Sequence, residues 1–342
     1  MDRREKIRWY FSAAAVCVLS LVLLCAVAEP AARLFSDPEM ASFVIYLETG
    51  RVVKEPFRAT EPPPSQATEP PATEEAVTPT SPQPPQTVFY PEDTGLIKVN
   101  YLCDYRVDVE TMLLSELIWD LKAEGPKVLI VHSHATESYT QTAQFSYEVS
   151  GDYRTLDDQR NMLRVGQALK EALEKEGIGV IHDTAMHDHP SYNDAYVNSR
   201  ESISAYLRKY PTLSLVIDLH RDAIGQTNKG QLDTHALVNG QESAQIMLVV
   251  GSDANGRTHP NWEKNMALAT KLHARLEKSF PGLCRPISFR GERFNQDLSE
   301  GALLIEVGAA GNTLEEALVA VEALAKGIAE LSGGAATADS TS

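Results

Sequence analysis

Three apolar runs in the sequence end in side chains suited to metal or proton chemistry. Val128–Val131 leads into His132-Ser133-His134, Leu213–Leu219 into His220-Arg221-Asp222, and Leu303–Ile305 into Glu306. A catalytic zinc takes about three His, Asp or Glu ligands and keeps one position for water. That water's pKa falls to about 7, and a neighbouring carboxylate can then take its proton. His134, His220 and one carboxylate, with Glu306 beside them, meet that description, and His132 competes with His134 for the first position. The sequence separation is 86 residues from 134 to 220 and again from 220 to 306. In open α/β sheets, however, ligand sites collect at the carboxyl ends of the strands, so distant segments converge there.

Glu306 is the most informative single residue. A carboxylate inside the apolar run LLIEVG is costly to bury, so it marks a functional or an ion-paired position, with Arg221 as the structural partner to weigh against a catalytic role. For a third ligand, Glu137 lies three residues past His134, and Asp157 and Asp158 precede a helix, where carboxylates also occur simply as caps. A second cluster, Ile181-His182-Asp183 and His187-Asp188-His189, suits a second metal, orientation of ligands or substrate recognition, and equally a solvated loop. His235, His259 and His273 have no partner pattern. Neither a Gly-x-Ser-x-Gly elbow nor a GxxxxGK[ST] phosphate loop occurs, which removes the serine-hydrolase and triphosphatase geometries and leaves metal-assisted hydrolysis.

The elements that must position these residues alternate. Strands are expected at Ile97–Leu102, Val128–Val131, Gly179–Ile181, Leu213–Leu219, Ile246–Val250 and Leu303–Val307. Helix faces are marked by Leu113, Leu114, Leu117, Ile118 and Leu121, and by Met162, Val165, Leu169 and Leu173, the latter helix running from 161 to a stop at Gly177. Further helices are expected through Ile203–Tyr210, over Trp262–Lys278, and after a capping signal formed by Asn312 and Thr313 with Glu315 and Glu316. Parallel strands need crossover connections of about a dozen residues or more. The alternation therefore predicts an α/β fold, a single catalytic domain over 95–332 with a mostly parallel central sheet flanked by helices.

In front of that domain the chain has a different texture. Residues 1–10 are a basic flank, and 11–28 (FSAAAVCVLSLVLLCAVA) carry no charge. As a helix at about 1.5 Å per residue, such a segment reaches most of a roughly 30 Å hydrocarbon core, which favours a single-pass anchor over a cleaved signal. The basic flank then stays inside the cell, and everything beyond is exported. A membrane-proximal segment, 29–55, precedes a Pro/Thr/Glu-rich linker, 56–94, too poor in apolar residues to fold. Residues 333–342 read as a disordered tail. Of the four cysteines, Cys17 and Cys25 fall in the anchor, so Cys103 and Cys284 are the one pair able to bridge in the exported part. The formal charge of −16, with no basic stripe, excludes nucleic acid as the main partner.

At these residues the sequence closely resembles stage II sporulation protein P, a cell-wall hydrolase family of endospore-forming bacteria. The matching stretches are VLIVHSHATESY, NMLRVGQALKEALEKEGIGVIHD, IDLHRDA, FNQDLSEGALLIEVG and GNTLEEAL, spanning roughly Val128 to Leu318. The resemblance implies a zinc-dependent N-acetylmuramoyl-L-alanine amidase, related in fold to other cell-wall amidases, with endopeptidase activity also attributed to the family, acting in septal wall remodelling and engulfment. It implies His134 and His220 as zinc ligands and Glu306 as the catalytic glutamate. In related amidases the third ligand is a Glu just before a helix, where this chain reads Asp157-Asp158-Gln159; Asp157, Asp158 and Glu137 therefore all stay open.

Further implications are peptidoglycan as substrate, the sporulation protein D lytic transglycosylase as partner, and a place in the membrane at the sporulation septum with the catalytic domain outside. On that reading His182, His187, Arg221, Asn295 and Gln296 are the candidates for touching glycan or peptide. The competing readings are an inactive wall-binding scaffold and a metal-dependent carbohydrate deacetylase.

Overall fold

The computed structural model describes residues 89–331 apart from 118–119, 224–225 and 228–229. The expected basic flank, anchor, membrane-proximal segment, tail and most of the linker lie outside the described residues. No helix among those described is long and apolar enough to cross a membrane. Residues 89–94, expected as the end of the linker, run into a 3-10 helix, Pro91–Leu96. Asp93 ties it down, accepting from the Tyr90 backbone N–H and pairing at 3.0 Å with Lys278. Cys103 and Cys284 are both free thiols, so the bridge left open by the sequence is not made.

The strands are β1 (Val99–Tyr101), β2 (Val128–Val131), β3 (Val180–His182), β4 (Leu215–Asp222), β5 (Gln226–Thr227), β6 (Gly230–Gln231), β7 (His235–Val238), β8 (Gln241–Ala244), β9 (Ile246–Val250), β10 (Ile287–Phe289) and β11 (Ala302–Ala309). Seven of them form one sheet in the order β1-β10-β9-β11-β4-β2-β3. Every pairing in it is parallel except β9 with β11, where Ile305 faces Leu248 in antiparallel register. The central strands β2, β9 and β11 are buried along nearly their whole length. That is what continuous apolar runs require when both faces of a sheet are covered.

The helices are α1 (Val109–Leu114), α2 (Met162–Lys175), α3 (Ala195–Lys209), α4 (Trp262–Ser279) and α5 (Leu314–Leu331). One face of the sheet packs Ile130, Ile217, Leu219, Leu303 and Ile305 against α2, α4 and α5. The other packs Leu129, Val131 and Val216 against Ile203 of α3, while Met247, Val249 and Leu304 lie under Phe294. Helix starts follow the expected chemistry. Asn161 caps α2 by accepting from the Leu163 N–H, and Thr313 with Glu316 makes a reciprocal capping box at α5. α3 begins at Ala195, eight residues before the expected Ile203, because its polar first turns bury few apolar side chains. The β7–β8 hairpin turns on Asn239-Gly240, both at positive φ (52° and 80°), a pair that suits the tight hairpin turn.

Candidate active site

β4 and β11 lie side by side, and their register sets Glu306 against His220. The ladder then shifts between Glu306 and Ala309, with Gly308 at φ +67°, so the strand is bulged immediately beyond Glu306. His134 lies past the end of β2. Its ring stands 5.4 Å from that of His220, nearly perpendicular to it. Glu137 reaches the same point, with Oε2 3.5 Å from His220 Nδ1. His134, His220, Glu137 and Glu306 are thus the sequence-predicted residues brought together, on the side of the sheet that α3 covers.

The surroundings hold each group in a definite state. His220 Nε2–H donates to Asp218 Oδ1 at 2.8 Å, and Asp218 also accepts from the backbone N–H and hydroxyl of Ser133. With Nε2 so engaged, His220 turns Nδ1 toward Glu137. Burial disfavours a charged imidazole, but Asp218 and Glu137 overcome it and raise the His220 pKa well above its ordinary value. Burial likewise opposes ionisation of Glu137. The Arg221 guanidinium and His220 prevail and hold the carboxyl far below the usual range. Arg154 adds a 3.2 Å contact to Glu137 and a 2.8 Å contact to Asp188. His134 is pushed down to about 4 by burial, partly offset by Glu137, and is therefore neutral at neutral pH. Tyr192 stacks on its face at 4.5 Å. Glu306 is raised to about 8 by burial, against the pull of His220, and its Oε2 has no hydrogen-bond partner.

The donor set suits a small divalent cation. Two imidazoles and a carboxylate are oxygen and nitrogen ligands appropriate to zinc, and His134 Nδ1 is buried without a partner. The Asp218–His220 contact is the kind of outer support that orients a metal-ligating histidine. A bare Nδ1 facing a carboxylate is repulsive unless a proton or a cation lies between them. Among the described residues no three His, Cys, Asp or Glu side chains are already drawn into a metal cage.

The remaining expectations need correction. His132 continues the alternation of β2 onto the face of Ile130, opposite His220, while the turn after Val131 carries His134 across, so the two do not compete. Its Nδ1–H donates to the Leu219 carbonyl at 2.9 Å, and its Nε2 accepts from His182 Nε2 at the same distance. Gly166 of α2 lies over this pair, where any Cβ would run into both imidazoles. Asp157 and Asp158 are exposed and serve Gln159, whose backbone N–H and side-chain amide they accept, so Glu137 alone of the three candidates reaches the cluster.

Most of the expected substrate contacts are internal instead. His187 is buried and donates to Asp183. Arg221 is buried, donating to the Ser138 and Tyr153 carbonyls. Gln296 is buried and bridges the Gly251 N–H and the Val249 carbonyl. Asn295 donates to the Tyr196 carbonyl at 2.8 Å. His182 still borders solvent, in an open groove of about 580 Å³ with Arg164, Gln167 and Thr184. Residues missed by the sequence reading are Asp218, Arg154, Tyr192 and Tyr196, while Asp188 belongs to the second His/Asp cluster it singled out. Asp218 alone carried a signal, being a carboxylate in the apolar run of β4 two residues before His220.

A family model described as Stage II sporulation protein P matches residues 50–329. The Stage II sporulation protein P of Bacillus subtilis (strain 168) is 32% identical over 215 residues, which cover 60% of this chain and 50% of the relative. The match therefore spans about half the length of that curated relative. Among solved structures, the N-acetylmuramyl-L-alanine amidase Ami1 of Mycobacterium smegmatis is 13% identical, with TM-score 0.37 over 62% of this chain and 98% of its own. The CwlD amidase of Clostridioides difficile, solved in complex with the GerS lipoprotein, is 16% identical with TM-score 0.37, covering 60% of this chain and 95% of its own. Scores at that level carry no argument by themselves.

Proposed function

Because the chain belongs to the stage II sporulation protein P family, we propose that it is a peptidoglycan hydrolase that removes stem peptides from glycan strands as a zinc-dependent N-acetylmuramoyl-L-alanine amidase. The observation that carries this reading is Glu306. It is half-buried, in register with His220, and its Oε2 is sealed from solvent without a hydrogen-bond partner beside the His134, His220 and Glu137 cluster. A carboxylate oxygen left unpaired and out of water is expensive to keep unless it works on something that enters the site.

His134, His220 and Glu137 would hold the ion. When bound, zinc supplies a water of lowered pKa and polarises the scissile carbonyl. Asp218 keeps His220 in one tautomer, and Arg154 and Arg221 keep Glu137 ionised and still. Glu306 takes the proton of the attacking water and passes it to the departing amide nitrogen. A carboxyl raised toward neutral pH suits a group that must both accept and return a proton. The place of action follows the same reading: an exported domain tethered at the sporulation septum, cutting in concert with a lytic transglycosylase such as sporulation protein D.

Glu306→Gln preserves volume and removes the base. The expected result is a folded protein whose release of stem peptides from purified peptidoglycan drops by about 10²–10⁴-fold. Mass spectrometry of the products separates amidase from endopeptidase cleavage, and released acetate in place of peptide would mark a deacetylase. Full turnover by the variant would remove Glu306 from the chemistry.

A further inference from the structure

Hydrolysis of an amide needs more than an activated water. When water adds to the carbonyl carbon, the π pair moves onto the carbonyl oxygen, and that oxyanion must be stabilised by a donor placed in advance. A 3-10 turn, Tyr192–Asp194, and the first turn of α3 bring two tyrosines four residues apart to the site. Tyr192 lies flat on His134, while the Tyr196 ring meets the same imidazole edge-on at 5.6 Å and 87°. Tyr196 is partly accessible, and its position is enforced from two directions. Its ring packs 6.1 Å from that of Phe294, and its backbone carbonyl accepts from Asn295 Nδ2 at 2.8 Å. Asn295 is itself held in the left-handed region, at φ 58°. One turn further along, Arg200 pairs with Asp297 at 2.7 Å, so the segment 294–297 clamps the beginning of α3 at two points.

The Tyr196 ring stands against His134, which itself meets His220 nearly at a right angle, so the phenol belongs to the cluster. Burial, reinforced by Asp218, Glu306 and Glu137, raises its pKa well above the ordinary value. Packing on Phe294 and His134 would be served equally by phenylalanine, so the hydroxyl is the part of this side chain left for chemistry at the cluster.

We propose that the Tyr196 hydroxyl donates a hydrogen bond to the oxyanion formed when water adds to the scissile amide, while Asn295 acts as the positioning residue that holds it there. This rests on the amidase reading above. The proton balance is unaffected: the C–O bond forms as Glu306 takes the water's proton, the C–N bond breaks as that proton passes to nitrogen, and Tyr196 keeps its own proton throughout.

The test is Tyr196→Phe in the full-length protein, assayed on purified peptidoglycan fragments, with binding of a phosphinate analogue of the tetrahedral state measured alongside. Removing one such donor should lower kcat by about 10²-fold or more with KM within about twofold. It should weaken phosphinate binding by a similar factor while leaving affinity for the glycan product unchanged. Asn295→Ala should lower kcat by a smaller factor, again without moving KM, and it serves in place of the phenylalanine variant should that one fail to fold. An active wild type with Tyr196→Phe at full kcat, or with loss confined to KM, overturns this inference alone. A wild type that releases no peptide overturns the amidase reading and this inference together.

Discussion

At the scale of residues, the site is a chain of dependence rather than a set of independent ligands. His220 faces Glu137 because Asp218 occupies its other nitrogen, and Asp218 is fixed in turn by two bonds from Ser133. Asp218→Asn tests this order of control. An amide keeps the volume but can turn its NH₂ toward Nε2, which then must be the acceptor, and the tautomer that leaves Nδ1 free is lost. Losing such an outer partner typically costs 10–100-fold in metal affinity or activity. The expected outcome is a loss in that range for both zinc affinity, measured by competition with a chromogenic chelator, and peptide release. Equal zinc affinity in variant and wild type would mean that Asp218 is only a structural tie between β2 and β4.

At the scale of elements, the same strand serves two faces with different chemistry. β2 and the turn after it send His134 to the open site and His132 into the layer beneath α2, where it joins His182 under Gly166. Burial, reinforced by the neighbouring imidazole, pushes His132 down to about 3, and burial pushes His182 down to about 4. An unfolded histidine takes up its proton near 6.5. The folded protein therefore binds fewer protons than the unfolded chain below that pH. The stability present above pH 6.5 is therefore lost progressively as pH falls from there, the loss being complete below about 4 for His182 and about 3 for His132. His182→Gln removes one of the two titrations. Denaturant melts at pH 7 and pH 4.5 should show the acid loss in the variant reduced by roughly half relative to wild type, a difference of about 2–3 kcal/mol at one pKa unit per 1.36 kcal/mol. An unchanged loss would place the acid lability elsewhere.

This element also shows what could and could not be read in advance. The run VLIV, the helix at 162–175 and the three strand ends were legible because apolar periodicity and burial coincide there. That His132 and His134 part company was not legible: alternation keeps residues two apart on one face, and it is the turn after Val131 that carries His134 to the other side. β10, three residues long, and the early turns of α3 were not, because their places are set by neighbours far along the chain. The Asn239-Gly240 hairpin carried a plain signal that periodicity alone passes over. Tyr192 and Tyr196 had none: a tyrosine on a polar helix start becomes part of a site only when the segment 294–297 closes on it.

At the scale of the whole molecule, charge and architecture have to be reconciled. The chain carries −16 overall, and residues 1–28 contribute four basic against two acidic side chains, so the excess of negative charge lies beyond them. The substrate proposed above, peptidoglycan, is itself anionic, and long-range attraction would not bring such a domain to it. Recognition then falls to the cleft, and inside the cleft the sheet has gathered carboxyl groups: Glu137, Asp218 and Glu306 sit on neighbouring segments with Asp188 close by. Arg154, Arg221 and a protonated His220 face Glu137, Asp218 and Asp188, while Glu306, raised to about 8, keeps its proton at neutral pH. A divalent cation would take the place of the protons on the imidazole and give the imidazoles and carboxylates a common partner, so it should be a stabilising component of the fold as well as a catalyst.

A ligand that binds only the native state adds RT ln(1 + [L]/Kd), about 4 kcal/mol at a thousandfold excess over Kd. For a domain of this size that corresponds to a rise in melting temperature of roughly 8–16 °C, at about 2–4 °C per kcal/mol. Chelator-stripped protein should gain a shift of that order on addition of zinc, and His134→Ala and His220→Ala should each abolish most of it. If zinc leaves the melt of the stripped protein unmoved, the negative cluster is balanced by protons alone, and the metal-dependent reading of the site fails.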